Sequence, residues 1–466
     1  MGRSEELFQR SIPDRKIGIW NHMERTITAS LTKLGQEIAD RLVDTRQREL
    51  EVITDLTNEQ LLGPSMRIVE PPIWELGHVG WFQDRWILQN LDKSEPVDER
   101  ADSLYDSFNV PNDQRPALRY PSLGQTIENI TDILERVILR LDSHNPSDEE
   151  LYFYNLVLNH EEMHSETMQH IRQTFGYPAP KLSVKKLNIK ALNINPDYEL
   201  HDVAIPGGTY MLGGTVDLPF IFDNEKWAHP VEIKPFHISA TPVTFSEYRK
   251  FVDEGGYQER SIWSDEGWEW LKMSDQKHPI YWKMDNGGEW IWRWLDRWMA
   301  LEPFLPIIHV NWFEANAFCK WADRRLPTEA EWELAASAAP SADGQSFTEE
   351  KRAYPWGDQH PRLEHANLNS AAGGIVDVRA LPAGDSAFGL RQMIGNVWEW
   401  TASTFEPYPG YVIDPYDTYS EPSFSQQKVL RGGCWATRPH VIRNSFRNFY
   451  TPDRNNIFAG FRTVAK

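Results

Sequence analysis

His160 and His164 stand four residues apart in the run Asn159-His160-Glu161-Glu162-Met163-His164-Ser165-Glu166, set in an otherwise apolar, aromatic stretch. On a helix that spacing turns the chain by about 40° beyond a full circle and raises it about 6 Å, so both imidazoles leave from one face. Two neutral imidazoles can chelate a divalent metal, and a third from another helix would leave coordination positions open for a substrate. The spacing alone is common, and one packed plus one surface histidine is the competing reading. Three carboxylates share the segment. Glu162 and Glu166 are expected to be solvated or structural, and Glu161 to orient a ligand imidazole.

The elements that must position these groups fall into two parts. From about Glu24 to Phe175 the pattern is helical, with apolar residues at three- and four-residue spacing over Ile27 to Thr57 and Thr126 to Leu141. Pro71-Pro72 breaks the chain just before Ile73-Trp74-Glu75-Leu76-Gly77-His78, and proline suits the first turn of a new helix. Four such segments predict an up-down helical bundle, a common setting for metal sites. Tyr177 to Asn195 reads as a connector. After about Asp202 short strand-like pieces alternate with glycine turns, as in Ile205-Pro206-Gly207-Gly208-Thr209-Tyr210. One clear helix, Trp312 to Ala322, precedes a second that opens after Leu326-Pro327-Thr328. The expected domains are residues 1–195, a four-helix bundle, and 196–466, an α+β domain with little regular structure.

Bulk composition narrows the function classes. With 48 basic and 68 acidic residues the net charge is −20, which argues against a nucleic-acid surface. The two cysteines, Cys319 and Cys434, exclude a disulfide framework and fit a reducing compartment. No run of 18 apolar residues occurs, and the first residues, Met1 to Glu6, carry no apolar leader core, so the expectation is a cytoplasmic protein with no membrane partner. Twenty tryptophans are present, nine of them between Trp263 and Trp312. That cluster either lines a sugar or substrate entrance or packs an insertion.

Several motifs in fixed order carry a resemblance to known families. His309-Val310-Asn311-Trp312, Arg325-Leu326-Pro327-Thr328-Glu329, Tyr354-Pro355-Trp356-Gly357, Gly395-Asn396-Val397-Trp398-Glu399-Trp400, Arg431-Gly432-Gly433 and Ala459-Gly460-Phe461-Arg462 make the second half resemble the formylglycine-generating-enzyme (sulfatase-modifying factor) domain, a C-type-lectin-like fold. The first half resembles DinB-like bundles, which hold a metal with three histidines. His78, in Leu76-Gly77-His78-Val79-Gly80, stands at the first ligand position, and His160 and His164 at the other two. The combination resembles the ergothioneine-type sulfoxide synthases, non-haem iron enzymes that use O₂ to join a thiol to the imidazole of hercynine (N-α-trimethylhistidine). The resemblance implies Fe(II) on His78, His160 and His164, with the second half completing the site. Formylglycine synthesis is not expected, because the stretch after Arg-Gly-Gly, Trp435-Ala436-Thr437-Arg438-Pro439-His440, lacks the reactive cysteine pair. Cys319 and Cys434 are expected to be structural.

The same resemblance assigns further residues. In Asp414-Pro415-Tyr416-Asp417-Thr418-Tyr419, Tyr416 matches the catalytic tyrosine, a phenol able to give a proton or hydrogen atom to reduced oxygen, and Tyr419 a residue of the hercynine pocket. Arg447 to Arg454 forms the opposite wall, with Asn448 matching a substrate contact and Phe449 in place of the usual tryptophan. A quaternary ammonium favours an aromatic face, and Phe449, Trp81 and Phe82 are candidates for that contact. The branch that uses γ-glutamylcysteine places an arginine where Asn112 stands and an aspartate where Tyr450 stands, while Arg454 is kept. An anionic dipeptide would lose its bidentate partner, so a neutral donor is expected.

Trp81-Phe82, Phe153-Tyr154 and the Arg447–Arg454 wall most resemble the selenoneine synthase branch, which joins hercynine to a selenosugar (1-selenoglucose). The cysteine-using ergothioneine synthases are the close alternative, and a Zn(II)-dependent DinB-type thiol transferase or a non-catalytic lectin-like protein are the rivals from other classes.

Overall fold

The computed structural model describes residues 31–466 apart from 67, 144 and 193. The start of the first expected helical stretch, residues 24–30, lies outside the described residues. The chain forms two compact units, one running up to Ile171 and including Pro180–Ser183, the other made of Arg172–Ala179 and Val184–Lys466.

Four long helices build the first unit: α1 (Lys33–Ile53), α2 (Pro72–Gln83), α3 (Leu123–Ser143) and all but the last four residues of α4 (Asp148–Phe175). Thr32 caps α1, its hydroxyl accepting from the Gly35 N–H at 3.2 Å. Pro71 caps α2 and Pro72 occupies its first turn, where no N–H is needed. Every residue of α2 is buried, so it lacks the polar stripe of its neighbours and runs through the middle of the bundle. It passes into a π-helical turn at Asp84–Gln89.

Two glycines of α2 admit close neighbours. A Cβ at Gly77 would sit 2.1 Å from the Tyr105 ring, and one at Gly80 2.4 Å from an Ile130 methyl. A single guanidinium then ties the four helices together. From α1, Arg46 donates to both oxygens of Glu161 on α4 (2.7 and 3.2 Å), to Gln83 Oε1 of α2 (3.0 Å) and to the Ile130 carbonyl of α3 (2.6 Å).

In the second unit, one four-stranded sheet runs in the order Asp202–Ile205, Phe236–Ser239, Val464–Ala465, Arg324–Arg325. Another runs Asn448–Tyr450, Lys428–Arg431, Trp398–Thr404, Ala459–Gly460, its last pair parallel. Helices Phe245–Asp253, Trp312–Trp321 and Glu329–Ser337 each open on a capping box, Thr244/Glu247, Asn311/Glu314 and Thr328/Glu331. A further helix, Asp265–Ser274, starts at Ser264. The helical first part and mixed α+β second part match the expected fold class. Two of these four helices are expected from the sequence; Phe245–Asp253 is not, although Thr244 and Glu247 carry its capping-box signal.

The middle of the tryptophan-rich segment is a three-stranded antiparallel sheet, Trp282–Met284, Trp290–Trp294 and Arg297–Ala300, while Trp268, Trp270 and Trp312 lie on helices. Trp282, Trp290, Trp292 and Trp294 are buried, Trp282 and Trp292 edge-on to Phe245. Core packing therefore accounts for these four; Trp298 is exposed, with Lys283 Nζ 3.8 Å above its ring.

Most of the motif residues in this unit prove to be buried scaffolding. Arg462 grips Glu399 with two bonds (2.7 and 2.8 Å), and Trp332 Nε1 donates to the same carboxylate at 2.8 Å. Asn396 donates to Val376 O and Gln392 Oε1 and accepts from Val376 N and Asn367 Nδ2. Glu333 receives Arg431 and Lys351. Burial opposes its charge, but the two cations more than offset that and hold its carboxyl down at about 2. Among the described residues no helix is long and apolar enough to cross a membrane.

Candidate functional site

The three histidines named from the sequence converge. His78 comes from α2, His160 and His164 from successive turns of α4, and one nitrogen from each lies within 4.8 Å of the other two. His78 Nε2 and His160 Nε2 are 3.2 Å apart. Ligands held about 2.1 Å from one ion at angles of about 90° to 109° lie roughly 3.0–3.4 Å apart, so this pair already has metal-bound spacing.

The outer edges of the rings are held as well. His78 Nδ1 donates to the Tyr105 carbonyl at 2.7 Å, and His164 Nδ1 to Glu75 Oε2 at 2.5 Å. Each bond puts a hydrogen on Nδ1, the ring nitrogen that faces the acceptor. His160 lies flat on Phe82, ring centroids 3.5 Å apart and planes 4° apart, while His78 is sandwiched between Trp74 (4.5 Å) and Trp81 (5.4 Å). Burial, then the neighbouring His164, pushes His78 well below the usual imidazole range, and the same causes act on His160. Both are kept neutral, the form that binds a metal. The donor set therefore fits a divalent ion with nitrogen preference, iron included.

Trp81 and Phe82 thus reach the histidines as the sequence implied, yet one face of Phe82 is already occupied by His160, and Trp81 Nε1 is tied to Asp102 Oδ1 at 2.7 Å. Asn112 donates to Glu70 Oε1 at 2.8 Å, beside Arg115, which bonds the same oxygen at 3.0 Å. Glu161 does not orient an imidazole; it pairs with Arg46. Glu162 and Glu166 are buried, which removes the solvated reading.

In the second unit Tyr416 and Tyr419 stack, centroids 5.6 Å apart. Tyr419 also meets Phe222 (4.7 Å) and the edge of Phe449 (5.4 Å), and Phe449 stacks on Phe405 (4.0 Å). Burial, then the nearby Tyr416, Glu225 and Asp223, lifts the Tyr419 phenol well above its usual range. Asn448 Oδ1 accepts from the Phe449 N–H at 2.8 Å. Arg454 lies 5.1 Å from the Tyr450 ring and donates to Asn456 Oδ1 at 2.9 Å, a pair of its own beside the aromatic group.

Family models match both parts of the chain: the DinB superfamily over residues 41–168 and the sulfatase-modifying factor enzyme 1-like domain over residues 193–466. A hercynine oxygenase of Mycolicibacterium thermoresistibile is 36% identical over 450 residues, covering 91% of this chain and 94% of the relative. The hercynine oxygenase of Mycobacterium tuberculosis is 34% identical over 439 residues, covering 92% and 98%. The chain belongs to the hercynine oxygenase family.

The second half alone is similar to the formylglycine-generating enzyme of Mycobacterium tuberculosis, 30% identical over 315 residues, which covers 56% of this chain and 97% of that one. In this hercynine oxygenase family member both cysteines are buried, as expected of structural residues, and burial raises the Cys319 thiol far above its normal range.

Two features beside the candidate residues are not expected from the sequence. Glu75 precedes His78 by three residues, a same-face spacing that was visible but unused. The segment Asp223 to Lys226 anchors the loop of Tyr416 and Tyr419: Asp223 Oδ2 accepts from Tyr411 Oη at 2.8 Å, Asn224 donates to Ser420 Oγ at 3.0 Å, and Lys226 bonds Asp414 at 2.7 Å. Nothing in the spacing of residues almost 200 apart announces that clamp.

Proposed function

We propose that this protein is an Fe(II)- and O₂-dependent enzyme that joins C2 of the hercynine imidazole to a chalcogen donor, with a selenosugar (1-selenoglucose) as the favoured donor. The observation that carries this reading is the convergence of three imidazoles in a chain whose relatives are hercynine oxygenases over nearly their whole length. His78, His160 and His164 would hold the iron, which when bound supplies one-electron chemistry towards O₂ and open positions for substrate. The balance closes: one imidazole C–H and one Se–H (or S–H) are lost, a C–Se (or C–S) bond forms, the chalcogen gains one oxygen atom, and the other leaves as water.

The chain's own residues divide the remaining work. Tyr416 donates the proton that reduced oxygen needs. Tyr419 and Phe449 offer aromatic faces to the trimethylammonium group, which has no N–H to donate. Asn448 contacts the hercynine head, and Trp81 and Phe82 wall the histidine site. Tyr450 and Arg454 form the donor side. A neutral sugar donor agrees with a tyrosine at position 450 and with Asn112 in place of an arginine, since neither gives a carboxylate a bidentate partner. A cytoplasmic setting is part of the reading and rests on two cysteines that are both buried thiols.

The identity to hercynine oxygenases favours a second reading, in which cysteine or γ-glutamylcysteine is the donor and the product a sulfoxide. One experiment separates them. The protein is loaded with Fe(II) without oxygen, then given O₂, hercynine and, in parallel, selenoglucose, thioglucose, cysteine or γ-glutamylcysteine, with products identified by mass spectrometry. The selenosugar adduct should form fastest. Faster cysteine coupling would replace the selenosugar reading with the sulfoxide one, and no coupling or oxygen uptake with any donor would end both.

A further inference from the structure

Buried carboxylates crowd the bundle around the histidines, and they do different things. Glu161 is taken by Arg46, and Glu162 lies by Thr45 Oγ1 (3.5 Å) and Arg41 (3.6 Å). Glu49 on α1 is fully buried with neither oxygen in a hydrogen bond. Glu166 lies 3.5 Å from His170 Nε2, and Glu75 is the one seen to bond one of the three convergent imidazoles, its Oε2 2.5 Å from His164 Nδ1. It leaves α2 on the same side as His78, three residues before it, so α2 supplies one histidine directly and grips a second that belongs to α4.

The three rings are therefore held by unlike partners: a peptide carbonyl for His78, an aromatic face for His160 and a carboxylate for His164. A carboxylate takes the Nδ1 proton in a shorter, stronger bond than a carbonyl does, and leaves Nε2 the more basic donor. His164 is also the most exposed of the three, its side chain 20% accessible against 1% for Glu75. Packing alone restrains it least.

We propose that Glu75 is the positioning residue of the three-histidine centre: it fixes the tautomer and ring orientation of His164 and makes that arm the strongest donor to the metal. This rests on the reading of the three histidines as metal ligands. Loss of such an outer carboxylate weakens metal binding by about 10- to 100-fold.

The test uses the full-length protein and Co(II) as the probe, with affinity from titration of the visible absorption. Glu75→Ala should weaken Co(II) binding by roughly 10- to 100-fold, and Glu75→Gln, whose amide oxygen still accepts from Nδ1–H, should lose less. A second readout, free of any metal, is the tautomer of His164 from ¹⁵N chemical shifts in histidine-labelled protein. It should be Nδ1–H in wild type and Glu75→Gln, and shift towards Nε2–H in Glu75→Ala. A purely structural role would lower the melting temperature without moving the tautomer. Co(II) affinity in Glu75→Ala within twofold of wild type, or an unchanged tautomer, overturns the proposal. Should Glu75→Ala fail to fold, Glu75→Gln decides: wild-type Co(II) affinity overturns the proposal, and a several-fold loss with the Nδ1–H tautomer kept supports it. Wild-type protein that binds no Co(II) or Fe(II) would instead remove the metal reading itself, which distinguishes the two failures.

Discussion

Arg46→Ala should be the most damaging single change in the bundle outside the histidines. The side chain is 4% exposed and makes four hydrogen bonds, two to Glu161 and one each to Gln83 and Ile130. Removing it strands the Glu161 carboxylate, 1% exposed, with Gln83 Nε2 at 2.6 Å as its remaining donor in that knot. Breaking one half of a buried ion pair costs about 3–5 kcal/mol, roughly a fifth or more of the stability of an ordinary domain. Replacing both partners by apolar residues of similar volume removes both charges of the pair together, so Arg46→Met/Glu161→Met should recover most of that loss.

Hydrogen exchange of amides in α1 to α4 reads this unit separately from the rest of the chain. Opening free energies there should fall by about 3–5 kcal/mol in Arg46→Ala and by about 1 kcal/mol or less in the double variant. If the double variant is as damaged as the single one, uncompensated charge is not the cause and the four-helix knot has been misjudged.

The other expectations concern single contacts. Gly77→Ala forces a methyl into the Tyr105 ring; it should lower stability by about 1–3 kcal/mol or more in thermal melts, and weaken metal binding because the Tyr105 carbonyl holds His78. Glu333, held at about 2 when folded against an ordinary 4.5, lends stability that is present above pH 4.5 and is lost as pH falls towards 2. The loss is about 3 kcal/mol, and Glu333→Gln should flatten that limb of an acid-unfolding curve. His164→Ala should abolish tight iron binding, measured by metal content after gel filtration. Tyr416→Phe should keep iron but divert turnover to oxidation of the donor alone; wild-type product at wild-type rate would remove the tyrosine from the mechanism.

How much of this could be seen in the sequence depended on the range of the interaction. The i, i+4 pair on α4 and the proline start of α2 are local features, and both were readable from spacing. His78 joins the pair across 82 residues and was reached only through the family resemblance. Glu161, which follows a ligand directly on α4, is the carboxylate the sequence offers for orienting a ligand imidazole. A neighbouring residue on a helix points about 100° away, so Glu161 faces Arg46 while the orienting group comes from another helix. In the second unit the tryptophan cluster carried no period long enough to reveal a hairpin sheet. Its buried strand alternates every second residue, Trp290, Trp292, Trp294, a pattern that strand pairing explains after the fact.

The salt-bridged arginines that mark the second unit have one more implication. Arg431, Arg447 and Arg462 spend their charge on Glu333, Glu329 and Glu399, deep under the surface. Side chains such as Tyr450 and Arg454 take no part in those bonds. Substitutions at Tyr450 and Arg454 should therefore leave these three buried ion pairs, and the interior they brace, in place.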